Sequence, residues 1–113
     1  MTRDEVEAIA VSLPAVTRVV QWGESNVYKV GGKVFAMCHP SGGLSFKVTE
    51  IGFVVLTEAG APGRQAPYCA KGQWVNVPIE DLDAADARDW LGTAHSLIAA
   101  KLTRKTRAEL GLS

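Results

Sequence analysis

The sequence predicts an α+β domain in which an antiparallel sheet carries an N-terminal helix, a middle helix and a long C-terminal helix. Three observations carry this expectation. Apolar residues recur at helical spacing near both ends of the chain, residues 18–48 alternate with a period near two, and glycine and proline punctuate the short β-type runs. A chain of 113 residues can build one core without disulfide or metal staples, so residues 1–113 are expected to form a single domain.

The first helix is announced by Thr2-Arg3-Asp4-Glu5, the form of a capping box in which the Thr hydroxyl and the Glu carboxylate each satisfy a free backbone donor. Val6, Ile9, Ala10 and Leu13 then mark one apolar face, and Pro14 ends the ladder, giving a helix over 3–13. Four β-type runs follow, at 18–22, 27–30, 33–38 and 44–48. Gly31-Gly32 tolerates the positive φ angles of a two-residue hairpin turn, and Pro40-Ser41-Gly42-Gly43 supplies the next reversal. Leu44, Phe46 and Val48 alternate with Ser45 and Lys47, as a half-buried strand requires.

Residues 49–59 are ambiguous, because Phe53-Val54-Val55 favours a strand. Thr49 in a capping position, with Glu50 in the first turn, decides for a helix that ends before Gly60. Gly60, Pro62, Gly63, Pro67 and Gly72 make residues 60–72 a loop, and 73–77 read as a strand stopped by Pro78. Asp83 and Asp86 open the last helix. Its apolar face runs through Ala87, Trp90, Leu91, Ala94, Leu97, Ile98 and Leu102, which predicts one helix over 84–106, about 35 Å long at 1.5 Å per residue.

Twelve basic residues balance twelve acidic ones, so net charge gives no general pull toward nucleic acid. The distribution is uneven: residues 18–79 hold six bases and three acids, a net +3, and 100–113 hold four bases and one acid, also +3. A local basic face is therefore available. There is no apolar run of membrane-spanning length and no signal-like start, so the expected location is the cytoplasm, without a membrane partner. Cys38 and Cys69 are too few for a disulfide framework and read as small buried hydrophobes.

Trp22-Gly23, Tyr28-Lys29-Val30-Gly31-Gly32-Lys33-Val34-Phe35-Ala36, Ser45-Phe46-Lys47-Val48, Pro67-Tyr68 and Gly72-Gln73-Trp74-Val75 stand in the order and spacing of the MmcQ/YjbR family, which the chain resembles nearly end to end. The resemblance implies the double-wing, CyaY-like version of the α+β fold and a DNA-binding role. Carried onto these words, Lys33 and Lys47 form a basic pair beside Tyr68.

A DNA-binding face needs cations that neutralise phosphates. The candidates are Lys29 and Lys33 around the Gly-Gly turn, Lys47 on a neighbouring strand, and Arg64 and Lys71 around the Pro67-Tyr68 loop. Lysines at strand edges also serve simply to keep an edge soluble. Tyr28, Tyr68, Trp22 and Trp74 are candidate stacking surfaces. Trp22 and Trp74, in or beside apolar strands, are expected to be structural, whereas Tyr68 in a polar loop is the expected surface contact, with Trp74 beside its cleft.

No catalytic set is recognised. Cys38 and His39 are strand neighbours pointing to opposite faces, and His95 stands among apolar helix positions where a packed imidazole is expected. Two Cys and two His at 38, 39, 69 and 95 lack the close spacing of a metal site. Glu80, Asp81, Asp83, Asp86 and Asp89 read as loop and helix-start acids rather than an iron-binding row. The expectation is a binding module without enzyme activity or cofactor. Its candidate partners are DNA, a small ligand, a second copy of the chain or another protein.

Overall fold

The computed structural model describes residues 1–112. Helix α1 spans Arg3–Ser12 and is followed by β1 (Val16–Gln21), β2 (Ser25–Val30), β3 (Lys33–Cys38) and β4 (Gly43–Lys47). Helix α2 (Glu50–Thr57), the two-residue strand β5 (Arg64–Gln65) and β6 (Trp74–Pro78) come next, and α3 (Ala84–Ala99) and α4 (Arg104–Glu109) close the chain. The six strands form one antiparallel sheet in the order β1-β2-β3-β4-β6-β5.

Local signals act as their chemistry requires. The capping box is complete: the Thr2 N–H donates to Glu5 Oε1 at 3.0 Å and the Glu5 N–H to Thr2 Oγ1 at 3.2 Å. Gly31 and Gly32 both adopt positive φ, +57° and +79°, and join Val30 to Lys33 as the tight hairpin predicted. Thr49 caps α2 and Asp83 caps α3, each through its side-chain oxygen.

The helices cover one face of the sheet. Alternation sends Tyr28, Ala36, Cys38, Leu44, Phe46, Val75 and Val77 to that face, where they meet Val6, Ile9 and Ala10 of α1 and Ala87, Leu91, Ala94 and Ile98 of α3 in one core. A bulge between Tyr28 and Lys29 lets Phe35 join Ala36 on the core side. Phe35 meets the His95 ring edge-on at 5.4 Å, and His95 Nε2–H donates to Pro14 O at 2.7 Å. His95 is thus the packed histidine that its helical neighbours predicted.

The single long C-terminal helix is corrected. Helix α3 stops at Ala99, so it spans about 24 Å at 1.5 Å per residue, and α4 restarts after Thr103, whose hydroxyl caps it by accepting from the Thr106 N–H. Leu102 continues the apolar spacing of α3, which is why the helix reads as unbroken. It is buried instead beneath Gly31 at the hairpin tip. The loop predicted over 60–72 also contains β5, too short to have any periodicity of its own.

Candidate functional site

The face away from the helices carries the candidate site. One row of antiparallel partners crosses all six strands: Val19, Val27, Met37, Ser45, Asn76 and Arg64. Each belongs to a strand whose alternate residues build the core or flank it, so this row faces the other way. A cleft of about 840 Å³ opens over Met37, Ser45, Asn76 and Arg64, with His39 on its floor and Trp22 and Tyr68 at its walls.

Both wall aromatics sit in backbone conformations that L-residues avoid. Trp22 has φ +50° and Tyr68 φ +62°. Trp22 opens a run of three left-handed residues, Trp22-Gly23-Glu24, that connects β1 to β2. That turn is held from two sides: Ser25 Oγ–H donates to Trp22 O at 3.2 Å, and Arg3 Nη2 of α1 donates to Glu24 O at 3.2 Å and Cys38 O at 3.1 Å.

Tyr68 occupies the third position of the turn Ala66-Pro67-Tyr68-Cys69, closed by the Cys69 N–H on Ala66 O. Proline at the second position and positive φ at the third are the pattern of a type II turn, where glycine or asparagine is the usual occupant of the third. Tyr68 holds that place with its ring fully exposed, at 108%, and Trp22 is 63% exposed. The expected structural role of Trp22 is therefore corrected, since it lies in the turn after β1 rather than in an apolar strand. Gln65 shapes the Tyr68 loop by donating from Nε2 to Ala66 O and Cys69 O and accepting the Gly72 N–H.

A hydrogen-bond chain runs beneath the cleft. Ser25 Oγ lies 3.2 Å from Trp22 O and 2.9 Å from His39 Nδ1. Burial, aided by the positive charge of Arg3, holds the His39 pKa below its ordinary value, so the ring is neutral near pH 7. His39 Nε2 lies 3.1 Å from Ser45 Oγ, which also accepts from Asn76 Nδ2 at 2.9 Å.

Cys38 and His39 do face opposite ways, Cys38 into the core and His39 to the cleft. Burial pushes both cysteine thiols above their ordinary pKa. Among the described residues no three His, Cys, Asp or Glu side chains gather to hold a metal ion, and no helix is long and apolar enough to cross a membrane.

The structure separates the five candidate phosphate contacts. Arg64 lines the cleft, with Nη1 tied to Gly63 O at 2.9 Å, and Lys71 is exposed in the loop beyond Tyr68. Lys33 is exposed at the hairpin tip and Lys29 half-buried on β2. Lys47 is only 7% exposed and donates to Gln73 Oε1 at 2.6 Å; burial first, and Lys101 second, lower its pKa. Trp74 is half-buried and does not line the cleft, and Tyr28 is buried with its hydroxyl on Glu7. Ser25, Ser45 and Asn76 were not singled out from the sequence as site residues. The available signal was polar residues alternating with apolar ones in strands that supply the core.

The YjbR family model matches residues 11–97, and the chain belongs to the YjbR family. It is also similar to a crystal structure of Deinococcus radiodurans protein DR2400, described by the domain DUF419. The identity is 26% and the TM-score 0.83, covering 99% of this chain and 89% of that one. No curated protein matches the sequence.

Proposed function

We propose that this protein is a noncatalytic nucleic-acid-binding module that takes an unpaired DNA base into the cleft between Trp22 and Tyr68. The observation that carries the reading is the pair of exposed aromatics, each in a left-handed backbone, standing over a polar floor. Strained backbone kept in place by its surroundings is a mark of functional positions. Aromatic faces exposed beside a cleft stack on bases without sequence preference, and Arg64 at the rim has guanidinium donors left for a phosphate. The neutral chain suits a site that grips by stacking more than by phosphate charge.

A binding role is preferred to a catalytic one for a physical reason. Ser45 and His39 have the contact a serine nucleophile needs. Yet Ser45 is 2% exposed and lies within β4, between β3 and β6, where backbone N–H groups are spent in the ladder rather than aimed at an oxyanion.

The test is anisotropy titration of labelled single-stranded and duplex DNA, with Trp22→Ala and Tyr68→Ala beside the unaltered protein. Single strands should bind more tightly than duplex, and each variant should weaken them. Equal binding by both variants and the parent would remove the cleft from the function.

A second reading, a protein or second-copy partner, rests on Ile51, Val54 and Val55 of α2, which are 78%, 60% and 48% exposed. Val54→Glu should then abolish any self-association seen by light scattering. A monomer at all concentrations would count against a second copy as the partner.

A further inference from the structure

The contact between Gly31 and Leu102 brings together two basic stretches that lie far apart in the sequence. Leu102 is buried beneath the turn between β2 and β3, and Leu112 packs against the same core, so α4 is fastened to this end of the molecule on both sides. Residues 29–33 and 101–109 hold Lys29, Lys33, Lys101, Arg104, Lys105 and Arg107 against the single acid Glu109, a net +5 in a chain whose total is zero. Lys29 and Arg107 are half-buried and the other four cations are exposed. Among the described residues the one ion pair joins Arg18 to Glu7, so none of the six has a carboxylate partner.

The fold gains nothing from this arrangement. Lys101 follows the C-terminus of α3, where a cation suits the helix dipole, but Arg104 and Lys105 open α4, whose first turn has no acid and whose dipole disfavours cations there. Arg104 and Arg107 stand three residues apart on that helix, a like-charge spacing that also destabilises it, and α4 has no buried residue to offset either effect. Charge held against local stability points to an anion outside the chain.

The phosphate backbone of a duplex fits this surface best. It presents one charge per about 1.7 Å of axis, which cations from two segments meet together, and arginine pairs with phosphate through two N–H groups. A bilayer would require apolar side chains to insert. Leu102 and Leu112 pack on the core, which leaves Leu110, 36% exposed, as the one large apolar side chain exposed here among the described residues.

We propose that the β2–β3 turn and α4 form a phosphate-binding surface, separate from the cleft, that holds duplex DNA without reading its sequence. Lys33, Lys101, Arg104 and Lys105 make the contacts. Lys33 begins β3, and the cleft residue Met37 lies about 13 Å along the same strand at 3.3 Å per residue, so the two surfaces occupy opposite ends of it. The inference stands whether or not the cleft takes a base.

The experiment is anisotropy titration of a labelled mixed-sequence DNA duplex between about 50 and 250 mM salt, with unlabelled duplex or poly-glutamate as competitor. Two double variants are set beside the parent: Arg104→Glu with Lys105→Glu, and Lys33→Gln with Lys101→Gln, which draws on both segments. The parent should show a slope of log affinity against log salt of about −4, from four phosphate contacts, and each double variant should reduce it by about two. Arg104→Glu with Lys105→Glu should also unfold at a temperature no lower than the parent, because acids suit the first turn of α4. Cations kept there for the fold would give the reverse and overturn the proposal. Trp22→Ala and Tyr68→Ala should leave the duplex slope unchanged, so loss of the cleft reading would leave this surface standing. No duplex binding by the parent at low salt, or a slope unaltered in both double variants, would overturn it. Displacement by poly-glutamate as readily as by duplex, at equal charge concentration, would assign the surface to an acidic protein and overturn the choice of partner.

Discussion

Tyr68→Gly separates what the ring does for the fold from what it does for a ligand. The ring is fully exposed, so its removal forfeits no burial. The backbone at φ +62° costs an L-residue roughly 1–2 kcal/mol that glycine does not bear, while glycine's freer unfolded chain returns about 0.4–1 kcal/mol of that. The folded state should therefore gain about 0.5–1 kcal/mol, which for a chain of this size is about 2–4 °C in Tm. Binding should move the other way. Loss of one stacking face removes about 1–3 kcal/mol, a weakening of roughly 5- to 150-fold. Thermal unfolding followed by circular dichroism, set against anisotropy of labelled single-stranded DNA, reads both effects on one variant. A variant that unfolds at lower temperature would show that the ring supports the fold, and one that binds unaltered would refute the stacking wall.

Leu91→Ala, at a fully buried position of α3, should cost about 2–5 kcal/mol in urea unfolding, against a small effect for the exposed Leu110→Ala. Lys47→Glu should destabilise the fold by about 1–3 kcal/mol, because the new carboxylate would be buried against Gln73 without its cation, whereas Lys33→Glu should stay within about 0.5 kcal/mol. The His39 pKa lies below its ordinary 6.5, so the unfolded chain takes a proton that the fold resists. Stability should then decline as pH falls below about 6.5, level off once the folded pKa is passed, and be insensitive to this group above 6.5. Comparing urea midpoints of the parent and His39→Gln between about pH 7 and about pH 5 checks the sign, since the variant should lose that part of the slope.

Much of the fold was legible because its signals are local. The capping box at Thr2, the Gly31-Gly32 turn, the Thr49 cap that decided for α2, and the alternation through Leu44, Phe46 and Val48 each act within a few residues. The end of α3 was not legible, because Leu102 keeps helical spacing and is diverted by a distant contact with the hairpin. The site was mostly hidden for the same reason. Ser25, Ser45 and Asn76 come from β2, β4 and β6, His39 follows β3, and only strand register brings them together. Tyr68 was found because a tyrosine after proline in a polar loop is conspicuous by itself. Trp22 was misplaced because a tryptophan closing an apolar run reads as core until the backbone is seen to turn left-handed there.

The contact between Gly31 and Leu102 ties two stretches of chain into a single unit of sequence change. A Cβ at position 31 would stand 2.7 Å from both Leu102 Cδ atoms, and φ there is +57°. The steric half of that constraint yields to a shorter residue at 102, and the backbone half yields only to a residue such as asparagine that tolerates the left-handed region. Relatives that lose the glycine should therefore carry asparagine or aspartate at 31 together with a smaller side chain at 102. Lys33, two positions on and free of both limits, should drift independently of either.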